Sequence, residues 1–213
     1  MTRMRGRSRL LALLAIAAVA VGVTTAFATP LVAAARGGAD QFGFTVVRSG
    51  VPEGTHHFDL TSPDLQNNRP FPQSEVANTL GCSGGNQAPR LRWSGAPAGT
   101  RSFAVTMFDP DAPTGSGFWH WLTWDIPAGA TSFDGALPAG AVSGTNDAGL
   151  TGFLGPCPPP GDRTHRYQLT VFALDVPSLG LPATTRGTVL AFSMRLHIIG
   201  LGRLTPTFSQ PAA

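Results

Sequence analysis

Short apolar runs separated by glycine and proline dominate the pattern of this chain. The run over residues 103–108 is apolar on both alternating faces, which is typical of a strand buried inside a sandwich. It stops at Asp109, where two prolines follow within four residues, because proline fixes φ and lacks an N–H. Other strands are predicted over residues 42–47, 56–60, 89–93, from 118, 166–174 and 204–208.

One helix is predicted, over residues 189–199. Its apolar positions recur at helical spacing: Val189, Phe192, Leu196 and Ile199. Two long stretches, 61–79 and 127–152, are predicted to be surface loops with at most short peripheral helices. Many strands and little helix predict a mainly β fold, an antiparallel β-sandwich with one C-terminal helix.

The composition favours a single domain of short strands and gives no support to a nucleic-acid-binding protein. The 213 residues suit one domain, and 26 glycines and 19 prolines with only 13% charged residues suit short strands joined by turns. All fifteen basic residues are arginine, and four of them lie among the first nine residues. Without those four, 11 basic residues oppose 12 acidic ones, a net charge of −1. A domain so close to neutral gives no case for nucleic-acid binding.

The first 28 residues are typical of a secretory signal, with early arginines, an apolar run over 10–23 and Ala26-Phe27-Ala28 as the cleavage site. We therefore expect an exported protein, secreted or in the periplasm or cell envelope, with a linker over 29–41 and one domain over 42–213. Cleavage after Ala35 is a second possibility. An uncleaved anchor is the alternative, since the uncharged stretch is long enough to span a bilayer. Only such a leader is expected to contact a membrane.

Cys82 and Cys157 are the only cysteines in the sequence. Export would place them where disulfides persist, and an even number permits one bridge. A metal pair or a reactive thiol is the alternative, but neither has supporting CxxC spacing. We therefore expect a structural bridge between the GCSGGN loop (81–86) and the GPCPPPG loop (155–161).

Four polar side chains stand among aromatic and proline residues in two separate stretches. DPDAP (109–113) leads through a glycine-rich turn into FWHW (118–121), and GPCPPPGDRTHRY spans 155–167. These stretches supply Asp109, Asp111, His120 and His165. A carboxylate beside an imidazole favours the protonated ring, which has two donors. Two such histidines facing one hollow are expected to bind a phosphate or carboxylate oxygen.

The two stretches together resemble the signatures of the phosphatidylethanolamine-binding protein family, also called Raf-kinase-inhibitor-like proteins. TGSGFWHW (114–121) and GCSGGN are similar to its bacterial branch, and the resemblance covers residues 44–208. In that family the matching residues lie at a small pocket for phosphate-bearing head groups and similar anions. The resemblance implies this role for Asp109, His120, His165 and Tyr167, with Pro113, Phe118, Pro158 and Pro159 as lining. Asp111 is a further candidate, whose alternative role is to hydrogen-bond loop backbone.

The resemblance implies a non-enzymatic binding protein without a cofactor, whose partner is a small anionic ligand or a phospholipid head group. The alternative is an interaction module that inhibits a protease or a signalling protein through an exposed loop, 61–79 or 127–152. A third hypothesis, the least favoured, is a hydrolase that uses Asp and His. Nucleophilic catalysis by a serine is weakly supported, because GxSxG is absent.

A metal site is not predicted, because spacings such as HExxH are absent. His56 and His57 are adjacent, so on a strand they point to opposite faces. One departure from the bacterial branch lies at Arg195-Leu196, where relatives usually carry histidine and alanine. If the helix covers the pocket, Arg195 is expected to favour phosphate through bidentate hydrogen bonds. The favoured alternative is that Arg195 lies on a solvated face of the helix.

Overall fold

A computed structural model describes residues 50–212 of the chain. The predicted signal (1–28), the linker (29–41) and the predicted strand over 42–47 lie outside the described residues.

The described residues form eleven strands and one helix. The strands are β1 (His56–His57), β2 (Asp59–Thr61), β3 (Leu91–Ser94), β4 (Ser102–Asp109), β5 (Phe118–Pro127), β6 (Ser132–Phe133), β7 (Val142–Ser143), β8 (His165–Arg166), β9 (Gln168–Leu174), β10 (Ile198–Leu204) and β11 (Thr207–Phe208). The helix is α1 (Gly187–Met194). Between residues 50 and 212 no further, peripheral helix is formed.

Six strands make the main sheet, in the order β1-β10-β9-β4-β5-β7. Its pairings are antiparallel except that β1 runs parallel to β10. A three-stranded sheet, β2-β3-β6, packs against one face, and β8 pairs with β11 in a separate two-stranded sheet. The mainly β sandwich predicted from the sequence is therefore confirmed.

The core has one apolar layer on each face of the main sheet. The first lies between the two larger sheets and joins Val105 of β4 to Trp93 of β3. The second lies under α1 and joins Ala104 of β4 to Leu190 of the helix. Successive residues of a strand point to opposite faces, so β4 is buried on both sides, as its sequence predicts.

The helix differs from its prediction in extent and in orientation. It ends at Met194, and Ile199 belongs to β10. The residues predicted to face the core are instead exposed: Val189 by 53%, Phe192 by 64% and Leu196 by 74%. No helix within residues 50–212 is long and apolar enough to cross a membrane.

The packing of Gly187 explains why the helix presents a different face. A Cβ on Gly187 would lie 2.2 Å from Cγ of Trp119, so only a glycine lets the first turn rest against this ring. That contact turns Leu190 and Met194 toward the sheet, and both are buried. The sequence of the helix is apolar on nearly every side, so periodicity alone selected the wrong face.

Two predicted strands are each divided between two sheets. The strand expected over 56–60 splits at Phe58, a buried residue between β1 and β2. The strand expected over 166–174 splits at Tyr167, whose N–H donates to the carbonyl of Pro206 rather than to a neighbouring ladder. In both places one buried ring lies where the chain changes sheets.

The two predicted surface loops are more internal than expected. Leu65, Phe71 and Val76 in the stretch 61–79 are buried in the core. The stretch 127–152 contributes β6 and β7, which add edge strands to the two larger sheets. Leucine, phenylalanine and valine spaced widely among polar residues produce no periodic signal, so the burial of this segment escapes a periodicity argument.

The predicted disulfide between Cys82 and Cys157 is present, with the two Cα atoms 5.9 Å apart. It joins the GCSGGN and GPCPPPG loops as expected. Hydrogen bonds reinforce the junction, since the N–H of Gly155 donates to the side-chain oxygen of Asn86 at 2.8 Å. The N–H of Ala77 donates to the carbonyl of Pro156 at 3.2 Å. This junction fixes the loop that leads into β8.

Candidate binding site

The site begins where β4 ends, at Asp109. Its Oδ1 accepts the N–H of Asp111 at 2.9 Å, a local bond that holds the carboxylate of an aspartate on the turn that it starts. Pro110 between them adds a fixed φ and no donor. The Asp109 side chain is only 3% exposed, so its remaining oxygen needs a partner inside the protein.

That partner is His165 of β8. Nδ1 of His165 donates to Oδ2 of Asp109 at 2.7 Å, and both side chains are almost completely buried. The other ring nitrogen, Nε2, lies 3.2 Å from Oδ2 of Asp162. Burial by itself would lower the pKa of His165, but the hydrogen bonds to Asp109 and Asp162 outweigh it and raise the pKa. Carboxylates on both ring nitrogens thus favour the protonated, positively charged form of His165.

His120 of β5 behaves differently from the prediction of two protonated histidines. Its Nδ1 lies 3.2 Å from the carbonyl oxygen of Leu154, and because a carbonyl only accepts, Nδ1 carries the proton. Burial lowers the pKa of His120 to about 4. At pH 7 this ring is neutral, and its Nε2 is an acceptor.

Aromatic rings connect the two histidines. The Tyr167 ring contacts His120 edge-on at 5.3 Å between centroids and lies parallel to His165 at 6.3 Å. Phe118 contacts His120 at 4.8 Å. The Tyr167 hydroxyl is buried and has no hydrogen-bond partner at normal distance and angle. Burial, with the nearby carboxylates of Asp109 and Asp111, raises the pKa of Tyr167, so the phenol keeps its proton.

Asp111 contributes to the site through its bonds to two arginines. Its carboxylate accepts the backbone N–H and the guanidinium of Arg166, each at 3.0 Å. A second guanidinium, that of Arg163, also lies 3.0 Å away. Burial alone would raise the pKa of Asp111, but the arginines outweigh it and lower the pKa. Asp111 thus fixes Arg166, the residue next to His165, and its role as a ligand group stays a prediction.

Three residues that matter here were missed from the sequence: Asp162, Arg163 and Arg166. Their signal was the charge pattern of GDRTHR (161–166), in which carboxylate and guanidinium groups flank His165. Arginine and aspartate in a glycine- and proline-rich loop are most often solvated. Only the bonds from β8 and its loop to Asp109 and Asp111 of the DPDAP stretch show that they face one another.

Only one of the three prolines predicted to line the pocket is buried. Pro158 is buried, and its carbonyl accepts a hydrogen bond from the Gln210 side chain. Pro113 and Pro159 are exposed. The role of these three prolines as pocket lining stays a prediction.

Two surface hollows lie close to this cluster without including its polar centre. The larger, of about 360 Å³, is lined by Phe118 together with Thr114, Ser116, Gly117, Trp119, Asp147 and Thr188. The smaller, of about 180 Å³, lies beside Cys82 and Gln210. Neither hollow is lined by Asp109, His120, His165 or Tyr167. All four of these side chains are buried, so the cluster is closed in this conformation, and Phe118, which contacts His120, also lines the larger hollow.

The other candidate groups lie elsewhere. Trp119 packs with the α1 layer, opposite to the Tyr167 layer, so it and His120 occupy different faces, as alternation predicts. The helix therefore does not cover the site. Arg195 lies over the ring of Phe192 at 3.8 Å and donates to its carbonyl. His197 is half-exposed and bonds Asp175 at 2.9 Å.

Comparison with known proteins gives a match over the part of the chain that holds the cluster. The family model described as phosphatidylethanolamine-binding protein matches residues 61–209, a range that holds every member of the cluster. The chain belongs to the phosphatidylethanolamine-binding protein family. The resemblance seen in the DPDAP and GPCPPPGDRTHRY stretches is thereby confirmed.

Bacterial members of the family are similar over most of the domain. The UPF0098 protein YbcL of Escherichia coli is 43% identical over 159 residues, which cover 71% of this chain and 87% of YbcL. The UPF0098 protein YbhB of the same organism is 40% identical over 70% of this chain and 99% of YbhB. A Mycobacterium tuberculosis relative, named "Putative lipoprotein LppC", is 37% identical over 70% of this chain and 71% of its own length.

A solved structure shows the same fold. The crystal structure of Escherichia coli YbcL, described as a new member of the mammalian family, superposes with a TM-score of 0.69 at 42% identity. The match covers 71% of this chain and 98% of YbcL. The β-sandwich is therefore a feature of the family.

Proposed function

We propose that this protein is a non-enzymatic binding protein whose ligand is a small anion, a free phosphate or the phosphate of a head group. The observation that carries the proposal is the buried His165, held by Asp109 at 2.7 Å beside the Tyr167 hydroxyl. That hydroxyl lies near Asp109 but makes no hydrogen bond of normal distance and angle, whereas buried polar atoms normally have well-formed partners. A phosphate oxygen would accept a hydrogen bond from Tyr167 and from His165.

Each residue has a distinct role in the proposed complex. His165 supplies positive charge, and Asp109 orients its ring and keeps it protonated. Tyr167 donates from its hydroxyl. His120, neutral with an acceptor at Nε2, takes a hydrogen bond from the ligand rather than giving one. A monoprotonated phosphate fits this set, because it carries both acceptor oxygens and a donor O–H.

The proposal includes export to the cell envelope or beyond. The Cys82–Cys157 disulfide supports it, since such bonds persist in oxidising compartments. The mycobacterial relative whose name refers to a lipoprotein supports an envelope location as well. Mass spectrometry of the amino terminus of the exported protein tests this part, and a retained leader on a cytoplasmic protein would contradict it.

Calorimetric titration with phosphate and with phosphoethanolamine tests the proposed ligand class. Both should bind the wild type and bind His165→Ala and His120→Ala more weakly. His165→Gln serves as a second variant should alanine disturb the buried ring. His197→Ala is the matched control, because His197 is half-exposed and paired with Asp175 away from the cluster. A folded wild type that gives no heat with either ligand would overturn the proposal.

One observation favours the second candidate function, an interaction module. Val189, Phe192 and Leu196 form an exposed apolar face on α1 and just beyond it, and surfaces of this kind often mark contacts between proteins. This face lies across the main sheet from the cluster. Inhibition of a protease or kinase that is lost in Phe192→Ser and kept in His165→Ala would favour the second function over the first.

A further inference from the structure

His165 is bonded on both sides by carboxylates of its own chain. Asp109 takes Nδ1 at 2.7 Å, and Oδ2 of Asp162 takes Nε2 at 3.2 Å. Protonated imidazole has two donors and no more. Asp162 thus occupies the nitrogen through which His165 would reach any ligand.

Asp162 is far less constrained than Asp109. Its side chain is 33% exposed, against 3% for Asp109. It belongs to the PPPGDRT loop (residues 158–164), in which the N–H of Asp162 donates to the carbonyl of Pro159 at 3.2 Å. Its other oxygen, Oδ1, accepts the N–H of Arg163 at 2.7 Å. A rotation of this exposed side chain would free Nε2 without disturbing β8.

We propose that Asp162 is a specificity-determining residue: a tethered carboxylate that holds the anion position and must be displaced by the ligand. The inference rests on the proposed function, since it concerns the same site. It explains why the cluster is closed although it carries a histidine and a tyrosine hydroxyl that could both donate to an anion. The site is filled by its own side chain.

Competition with Asp162 selects among anions. A simple carboxylate in solution offers the same group as Asp162, and a tethered group acts at an effective concentration of about millimolar or more. Acetate therefore gains nothing by replacing it. A monoprotonated phosphate offers in addition a donor O–H for Nε2 of His120, a bond that neither acetate nor Asp162 can make. We expect the wild type to bind phosphate and to show no detectable binding of acetate.

The test compares Asp162→Asn with the wild type by calorimetric titration, using inorganic phosphate and sodium acetate at one pH. Asparagine keeps the oxygen that accepts the N–H of Arg163 and replaces the charged oxygen that faces His165 with a neutral NH2 group. Loss of this competing charged bond should tighten phosphate binding by about tenfold and make acetate binding detectable. Asp162→Ser is the second variant, because it removes the carboxylate while leaving a hydroxyl for the turn.

Asp134→Asn is the matched control, since it removes one carboxylate that pairs with Arg92 on the other sheet. Its phosphate affinity should equal that of the wild type. Phosphate affinity unchanged or weakened in both Asp162 variants, with a wild type that binds phosphate, overturns the inference and leaves the proposed function standing. Phosphate binding in none of the proteins overturns both. Acetate binding by the wild type as tight as by Asp162→Asn also overturns the inference.

Discussion

Nδ1 of His165 donates to Oδ2 of Asp109 at 2.7 Å across 56 residues of sequence, and the histidine is 1% exposed. The bond joins the end of β4 to the two-stranded sheet, so it is structural as well as electrostatic. A buried carboxylate needs such a partner, because burial without one is costly. The same pair that gives the site its charge therefore also holds it together.

Asp109→Asn should separate these two roles. The amide has nearly the same shape but no charge, so the pKa of His165 should fall and the free energy of unfolding should drop by about 1–3 kcal/mol. NMR titration of His165 gives the first quantity and urea denaturation the second. Asp134→Asn, an exposed carboxylate on the other sheet, should change neither. An unchanged His165 pKa in folded Asp109→Asn would show that Asp109 does not charge the ring.

His120 and His165 should make the free energy of unfolding depend on pH in opposite directions. The pKa of His120 is about 4 in the folded protein, below the ordinary 6.5, so its contribution is complete above pH 6.5 and is lost as pH falls toward 4. The cost is about 3 kcal/mol by pH 4. The pKa of His165 is raised, so its contribution is complete below pH 6.5 and is lost as pH rises through the folded pKa.

Denaturation at a series of pH values checks these signs. In His120→Gln the loss between pH 6.5 and 4 should shrink relative to the wild type. Carboxylates also titrate at the low-pH end of this series. The pKa values of Asp109 and of Glu75 are raised, which opposes the loss of stability as pH falls. The lowered pKa of Asp111 and of Asp64 adds to it below about pH 4. A His120→Gln profile parallel to that of the wild type would contradict the assignment.

The sequence was most informative where local pattern and tertiary structure agree. The run 103–108 predicts a strand buried on both faces, and β4 is one. The residue types of the site were also predictable, because DPDAP and the two histidine stretches stand out against their surroundings. The charge of His120 was not, since it depends on burial beside the Leu154 carbonyl, 34 residues away.

Long-range contacts decided what the pattern left open. The exposed face of α1 follows from one contact, that of Gly187 with Trp119, which no periodicity records. Asp162 lies three residues before His165 in the sequence and reaches its ring only because the PPPGDRT loop turns back. The residue types of a site can thus be predicted from the sequence. Their protonation states, and the side chains that compete with a ligand, depend on contacts that form only in the fold.

Loss of the disulfide should weaken the domain strongly. Cys82 and Cys157 are 75 residues apart, and closing a loop of that length contributes about 4 kcal/mol on the chain-entropy model. The double variant Cys82→Ser with Cys157→Ser should unfold at correspondingly lower urea concentration. Adding reductant should lower the stability of the wild type and leave the double variant unchanged. Equal stability of the oxidised wild type and the double variant would contradict this estimate.

Gly187→Ala sets two effects against each other, and their magnitudes decide the sign. In a helix alanine is favoured over glycine by about 1 kcal/mol. Here the new Cβ would lie 2.2 Å from Cγ of Trp119, and forcing it into a packed layer costs about 1–3 kcal/mol. We expect net destabilisation and a changed Trp fluorescence. Gly129→Ala is the matched control, since nothing lies within 4 Å of its Cβ position. A Gly187→Ala protein more stable than the wild type would mean that α1 can shift away from the sheet, and that its exposed face is not fixed by this contact.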